Sequence, residues 1–314
     1  MNSHKFRIGT RGSQLALVQA RTVAALLAER CGVQCEIVEI KTSGDRLADV
    51  SLREAGGKGL FVKEIEEALL AGSVDFAVHS SKDMPAALPA GLTLAATLER
   101  ENPGDALVLP AGTGAGSWEH ALSLLGPAPA IGTSSVRRVA QLARAIRGAA
   151  FPPMRGNVDT RLRKLDHGAE VSGLVLAAAG LRRLGLESRI SALVPLEVSV
   201  PAPGQGTVAI EARAGDTPVL DTLRQIGNTT SMTALVAERA VVSRLGGGCQ
   251  MPIGAFASVA GDTMTMKCIV ISPDGARAAR AEVSGPSEHA ARIGVEAAER
   301  LLAAGADEIL DALR

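Results

Sequence analysis

Between Ile131 and Ile190 the chain carries eleven Lys and Arg residues against four acids, a local excess of seven positive charges in a protein whose net charge is zero. Ten of the eleven are Arg, the residue suited to bidentate grip on carboxylates and phosphates. Arg137 and Arg138 fall in the first turns of a predicted helix, where cations oppose the helix dipole by ~0.3–1 kcal/mol each. An anion bound at that helix end, met by free N–H groups and both guanidiniums, would account for them. Arg11 stands in a comparable turn near the N-terminus. Arg155 and Arg161 are six apart, and the pair fits a further carboxylate as well as a surface pairing with Asp159. Lys82 and Asp83 follow an apolar run, Val74–Val78, and strand carboxyl ends are where open α/β sheets hold ligands. There Lys82 offers a cation, and Asp83 a carboxylate able to steady a developing positive charge or shuttle a proton. His79 reads as a satisfied core histidine. Cys249, after three glycines, can approach a bulky group closely. No His motif activates it as a protease nucleophile, so spacing alone makes it a buried, inert thiol.

These residues need elements to hold them. Phe6–Ile8 reads as a strand, Gly9–Ser13 as a turn, Gln14–Arg30 as a helix and Gln34–Lys41 as a strand. Thr42–Gly59 is polar and Gly-rich and reads as a mobile loop; Phe61–Ala71 reads as a helix and Val74–Val78 as a buried strand. Strands alternating with helices predict parallel α/β layering. Ile131-Gly132-Thr133-Ser134 echoes Ile8-Gly9-Thr10-Arg11, with Ser134 or Ser135 capping a helix, which suggests two lobes of similar build facing one cleft. Pro195–Gly206 reads as a crossing or hinge, and Val208–Ile210 as a strand returning to the first lobe. The last part reads as a helix over Ser231–Leu245, three strands and a final helix over Ser287–Ala304, a small α+β domain. The expected division is therefore 1–105 with 201–224, then 106–200, then 228–314.

Composition narrows the function. With 314 residues, 46% hydrophobic and 21% charged, the chain has the make-up of an ordinary globular protein rather than a disordered one. Five Phe, one Trp and no Tyr argue against a base-stacking surface, and neutrality argues against whole-molecule steering to nucleic acid or an anionic membrane. No apolar run approaches a membrane span and the N-terminus lacks a signal-peptide core, so the expected location is cytoplasmic. Cys31, Cys35, Cys249 and Cys268 are too sparse for a disulfide framework, and no metal site is expected.

Five words in order carry a resemblance. They are Ile8-Gly9-Thr10-Arg11-Gly12-Ser13-Gln14-Leu15-Ala16, His79-Ser80-Ser81-Lys82-Asp83-Met84-Pro85, Gly132-Thr133-Ser134-Ser135-Val136-Arg137-Arg138, Arg155-Gly156-Asn157-Val158-Asp159-Thr160-Arg161 and Gly247-Gly248-Cys249-Gln250-Met251-Pro252-Ile253-Gly254. Together they resemble the porphobilinogen deaminase (hydroxymethylbilane synthase) family over nearly the whole chain. The resemblance implies an α/β fold of two periplasmic-binding-protein-like lobes plus a small α+β C-terminal domain. It implies a transferase of tetrapyrrole (porphyrin and heme) biosynthesis. Four porphobilinogen molecules would be deaminated and joined head to tail on a dipyrromethane cofactor, and hydroxymethylbilane released by hydrolysis. Cys249 matches the position of covalent attachment, which reverses its reading from spacing. Asp83 matches the catalytic aspartate, which also contacts the cofactor. Lys82, Ser13, Ser135, Arg137 and Arg138 match cofactor-binding positions, and Arg11, Arg155, Arg161, Arg183 and Gln205 substrate-binding ones. Lys58 and Phe61 match a lid edge.

The physical reading agrees with those assignments. Each porphobilinogen brings two carboxylates, so a growing chain needs many guanidiniums, but only locally. The site must serve successive additions, and the Gln205 hinge and the 42–59 loop are the expected moving parts. Glu54 stands where some relatives carry a lid lysine, and Ser81 and Val136 stand where some relatives carry larger apolar residues. A monomer is expected, with the product passed to uroporphyrinogen-III synthase and no nucleic acid or membrane partner. The competing reading is a non-catalytic, two-lobed polycarboxylate-binding protein. It fits the arginines equally well but gives no reason for Gly-Gly-Cys.

Overall fold

Apolar alternation and Ser-capped turns become twelve strands in the computed structural model, which describes residues 5–46, 61–168, 170–248 and 250–313. The strands are β1 Phe6–Thr10, β2 Cys35–Glu39, β3 Phe76–Ser80, β4 Leu92–Thr97, β5 Asp105–Val108, β6 Ile131–Gly132, β7 Gly173–Ala177, β8 Ala192–Leu193, β9 Val208–Arg213, β10 Ile253–Ala260, β11 Thr263–Ile271 and β12 Ala278–Pro286. They lie in two compact units, residues 1–101 with 207–233 and residues 102–206 with 234–314.

The first unit holds a five-stranded sheet of order β2-β1-β3-β9-β4. β2, β1 and β3 are parallel, as the alternation predicts. β9 returns from beyond residue 200 and runs antiparallel to both β3 and β4. One face packs Ile8, Phe76, Val78 and Ile210 against Ala20, Val23 and Leu27 of the helix Gln14–Cys31 and Leu223 of the helix Thr217–Arg224. The other packs Ala77 against Ile65 and Leu69 of the helix Lys63–Leu70.

The second unit holds two sheets. One has the order β6-β7-β5-β8, in which only β6 and β7 are parallel. The parallel layering expected here is therefore confined to one pair of strands. The other sheet is an antiparallel meander, β10-β11-β12, covered by the helices Thr229–Leu245 and Ala290–Ala303 through Val241, Leu245, Ile293, Ala297 and Leu301. Ile269 and Ile271 of β11 pack with Ala140 and Val200, joining the meander to the arginine-bearing part of its unit. The final helix begins at Ala290, after a short 3₁₀ turn, rather than at Ser287.

The two echoed words are built alike. Each ends a strand, and each is followed by a serine that caps a helix. Ser13 Oγ accepts from the Ala16 N–H at 3.3 Å, and Ser135 Oγ from the Arg138 N–H at 3.4 Å. One expectation is corrected. Thr42–Gly59 does not begin as a loop, since Ser43–Arg46 forms a helical turn. Thr42 and Asp45 close it reciprocally: Thr42 Oγ1 accepts from the Asp45 N–H, and Asp45 accepts from the Thr42 N–H. The rest of that expected loop, including Glu54 and Lys58, lies outside the described residues, as does Cys249.

Candidate active site

β3 is buried through Phe76–His79, and its carboxyl end turns directly into a 3₁₀ helix over Ser81–Asp83. The turn is anchored by its backbone. The Ser81 N–H donates to Thr207 O at 3.0 Å and the Met84 N–H to Ser81 O at 3.1 Å. Met84 is buried with Val62 and Ala209, so the residue after Asp83 is fixed in apolar packing. Lys82 and Asp83 themselves are half-exposed. Among the described residues no side chain pairs with the Asp83 carboxylate.

Arg11 follows β1 in the same unit. Its Nη2 lies 2.6 Å from Asp45 Oδ1, and its guanidinium sits 4.3 Å from the centre of the Phe61 ring. Burial pushes the Asp45 carboxyl up, but hydrogen bonds and charge from Arg11, with Thr42, bring it below its ordinary value. The sequence reading placed Arg11 and Phe61 at a substrate subsite and a lid edge, and the fold brings these two together. It missed Asp45, whose only signal was the Thr-x-x-Asp spacing of a capping box.

In the second unit the two adjacent arginines converge on an anion, but the anion belongs to the chain. Asp105, at the head of β5, is fully buried, and Arg137 and Arg138 are 3% and 6% exposed. Arg137 Nη2 donates to both Asp105 oxygens at 2.9 and 3.1 Å, and Arg138 Nε donates to Oδ1 at 2.9 Å. Ser199 Oγ donates to Oδ2 at 2.8 Å, and Gln205 Nε2 to Oδ1 at 2.9 Å. Other arms are engaged too, although Arg137 Nε is buried without a partner. Arg137 Nη1 donates to Val200 O at 2.6 Å, Arg138 Nη1 to Val175 O at 3.0 Å and Arg138 Nη2 to Gln205 Oε1 at 3.3 Å. Burial opposes charge on Asp105, yet the two guanidiniums, with Gln205 and Ser199, hold its carboxyl well below the usual range. The bound anion inferred at this helix start is thus replaced by Asp105. Gln205, expected at a hinge, is 1% exposed and tied into the same network.

The other expected binding residues are half-exposed. Arg161 Nε donates to Gly156 O at 2.7 Å, Arg183 Nη2 donates to Gly206 O at 2.7 Å, and Arg155 lies in the segment before Gly156. A fully buried acid that sequence reasoning passed over, Glu238, ties two segments together. It accepts from the Gly204 N–H at 2.6 Å and the Ala257 N–H at 2.8 Å. Its signal was one carboxylate directly after an apolar run, Ala234–Ala237. Cys31, Cys35 and Cys268 are free, and burial pushes the Cys35 thiol up to about 11.

Comparison with known proteins finds two family matches. Residues 6–221 match "Porphobilinogen deaminase, dipyromethane cofactor binding domain", and residues 232–303 match "Porphobilinogen deaminase, C-terminal domain". The porphobilinogen deaminase of Trichlorobacter lovleyi is 45% identical over 312 residues, covering 99% of this chain and 97% of its own length. That of Syntrophotalea carbinolica is 46% identical over 314 residues, covering 100% and 97%. Among solved structures, an ancestral cationic amino acid solute binding protein aligns over 71% of this chain and 88% of its own, with 16% identity and a TM-score of 0.42.

Proposed function

The chain belongs to the porphobilinogen deaminase family, and from that premise we propose how its own residues carry the family's reaction. The activity is that of a transferase: four porphobilinogen molecules are deaminated and joined head to tail on a cysteine-linked dipyrromethane, and hydrolysis releases hydroxymethylbilane. Ammonia leaves at each addition.

Asp83 is the catalytic carboxylate in this reading. The observation that carries it is its placement at the carboxyl end of β3, in a turn fixed on both sides, with its charge unpaired among the described residues. Loss of ammonia from the aminomethyl group leaves positive charge on the substrate ring. A carboxylate accepting the pyrrole N–H stabilises that charge where it forms. Lys82, beside it, serves the acidic side chains of cofactor and substrate.

The residues around position 249 fit a bulky, acidic group held there. A Cβ on Gly248 would meet nothing within 4 Å, which leaves room beside it for such a group. When bound, the dipyrromethane supplies the primer on which the chain grows. Cys249 holds it by a thioether. Ser13 and Ser135 contribute to its binding from helix starts. Arg137 and Arg138 act as a cationic pair whose geometry Asp105 sets in advance, and Gln205 shares their network. Arg11, Arg155, Arg161 and Arg183 take substrate carboxylates, with Lys58 and Phe61 at the lid edge.

We propose a division into three domains, 1–105 with 201–224, 106–200 and 228–314, a reading supported by the presence of three separate sheets. We further propose that the enzyme is cytoplasmic and monomeric and hands its product to uroporphyrinogen-III synthase. Consistent with this, no helix among the described residues is long and apolar enough to cross a membrane.

Two measurements test the reading. Intact mass under denaturing conditions should exceed the sequence mass by a two-pyrrole adduct that is lost in Cys249→Ser. An unmodified Cys249 in fully active enzyme refutes the attachment. Asp83→Ala should fold and load the cofactor yet release ammonia at least ~100-fold more slowly, as expected for loss of a group that stabilises transition-state charge. Near-normal release removes Asp83 from the role.

A further inference from the structure

The face of the first unit's sheet that lies beneath the helix Lys63–Leu70 contains three ionisable side chains that the reaction as described does not use. His79 on β3 and Glu211 on β9 are diagonal neighbours, since His79 pairs with Ala209 and Ala77 with Glu211. His79 Nε2 lies 3.1 Å from Glu211 Oε2, and the two side chains are 3% and 0% exposed. Glu66 reaches the same region from the helix, which also buries Ile65 and Leu69 there. Glu66 Oε1 and Glu211 Oε1 are buried without a hydrogen-bond partner, and the close His79–Glu211 contact lacks hydrogen-bond geometry. The imidazole thus lies beside Glu211, whose charge Glu66 also feels.

The geometry points to Glu66, Glu211 and His79 as positioning residues for Asp83, a sealed site that must keep a proton on one carboxyl for the catalytic turn to stay seated. The inference rests on the assignment of Asp83 made above. Three connections carry it. His79 lies four residues before Asp83 on a continuous strand and turn. Met84, immediately after Asp83, packs on Val62 and Ala209. Val62 precedes the helix that carries Glu66, and Ala209 lies two residues before Glu211 on β9. The apolar seat of the turn and the acidic pair thus share the same two supports. Two negative carboxylates within a low-dielectric face repel strongly, and relief comes by moving the helix off β9, which opens the seat.

The surrounding charges have other partners. On the helix, Lys63 pairs with Glu67, and Glu64 accepts from the Ser43 N–H. Arg213 of β9 pairs with Asp216 and Asp75, and Arg7 of β1 pairs with Asp75. β4 carries no ionisable residue, and the turn itself contributes Lys82 and Asp83. Burial, reinforced by Glu211, pushes the Glu66 carboxyl up to about 7. Proton loss from Glu66 therefore falls in a range where the enzyme can be assayed.

The test compares full-length, cofactor-loaded wild type with Glu66→Gln and Glu211→Gln, loading being checked by intact mass. Wild-type kcat should fall above about pH 7, approaching ~tenfold per pH unit, while KM changes little. Either amide variant should keep kcat level within ~twofold to about pH 8.5, because one carboxyl is permanently neutral. Superimposable wild-type and variant profiles overturn the proposal, and so does a variant kcat lowered by one factor at every pH. Thermal midpoints give a readout independent of turnover. Unfolded Glu66 releases its proton near its ordinary value and folded Glu66 near 7, so the stability that Glu66 contributes is fully present below the first and is lost as pH rises between the two. Glu66→Gln should lack this decline, and a parallel decline in the variant overturns the protonation assignment. If Asp83→Ala retains turnover, the catalytic assignment fails, whereas the thermal comparison still decides whether the buried pair holds a proton.

Discussion

Asp105 shows how a single residue changes what its neighbours mean. Two adjacent arginines at a helix start read as half of a binding site waiting for an anion, yet both are already matched to a buried carboxylate. Holding two guanidiniums against one carboxylate in the interior is helped by the acceptors that most other arms find, Val175 O, Val200 O and Gln205 Oε1. Asp105→Asn removes the anion and leaves two buried cations facing each other. It should lower unfolding free energy by about 3–5 kcal/mol at neutral pH, measured by urea denaturation. The depressed carboxyl fixes the sign of the pH effect. Its stabilisation is complete above the unfolded value, near pH 4, and is lost as pH falls toward the folded one. The gap between wild type and Asp105→Asn should therefore narrow under acid. The sequence offered no more than an acid heading an apolar run, Asp105–Val108.

Among the elements, the helix Val136–Ala145 does the most positioning, since it carries both buried arginines. Its first turn contains no acid and two cations, so the dipole works against it, and Ser135 supplies the side-chain cap. Ser135→Ala should cost about 1 kcal/mol in a thermal or urea melt, and Ser135→Asn should restore most of it. This cost is separate from any loss of cofactor binding, which intact mass reports. Local elements of this kind were legible: both capped helices, the buried strand before Lys82 and the three-stranded meander follow from apolar spacing and turn residues. The turn Ser43–Arg46 was not, because its capping box sits in a stretch whose composition reads as loop.

Over the whole molecule, neutrality conceals a concentrated basic stretch, and the fold joins that stretch to the C-terminal meander within one unit. Gly254 of β10 marks the joint. A Cβ there would lie 2.8 Å from Val200 O and 2.8 Å from an Ile269 methyl. Val200 O is also the acceptor for Arg137 Nη1 and Gln141 Nε2. Gly254→Ala should therefore destabilise the chain by about 1–3 kcal/mol in urea and lower the loaded fraction seen by intact mass, by disturbing the arginine network from a distance. A variant with wild-type stability and loading would show the joint to be slack.

The sequence by itself determined the family, through five ordered words, and the candidate chemistry, through residue types such as Cys249, Asp83 and the arginines. Those features are local: a motif keeps its meaning within a few residues, and helix or strand period is written in neighbouring side chains. Only the tertiary structure decided which charges are already spoken for. Asp45 meets Arg11 across 34 positions, Asp105 meets Arg137 across 32, and Glu211 meets His79 across 132. Nothing in the spacing of such pairs announces them, because burial removes the water that would otherwise let each charge stand alone, and the chain's path through space chooses the partner.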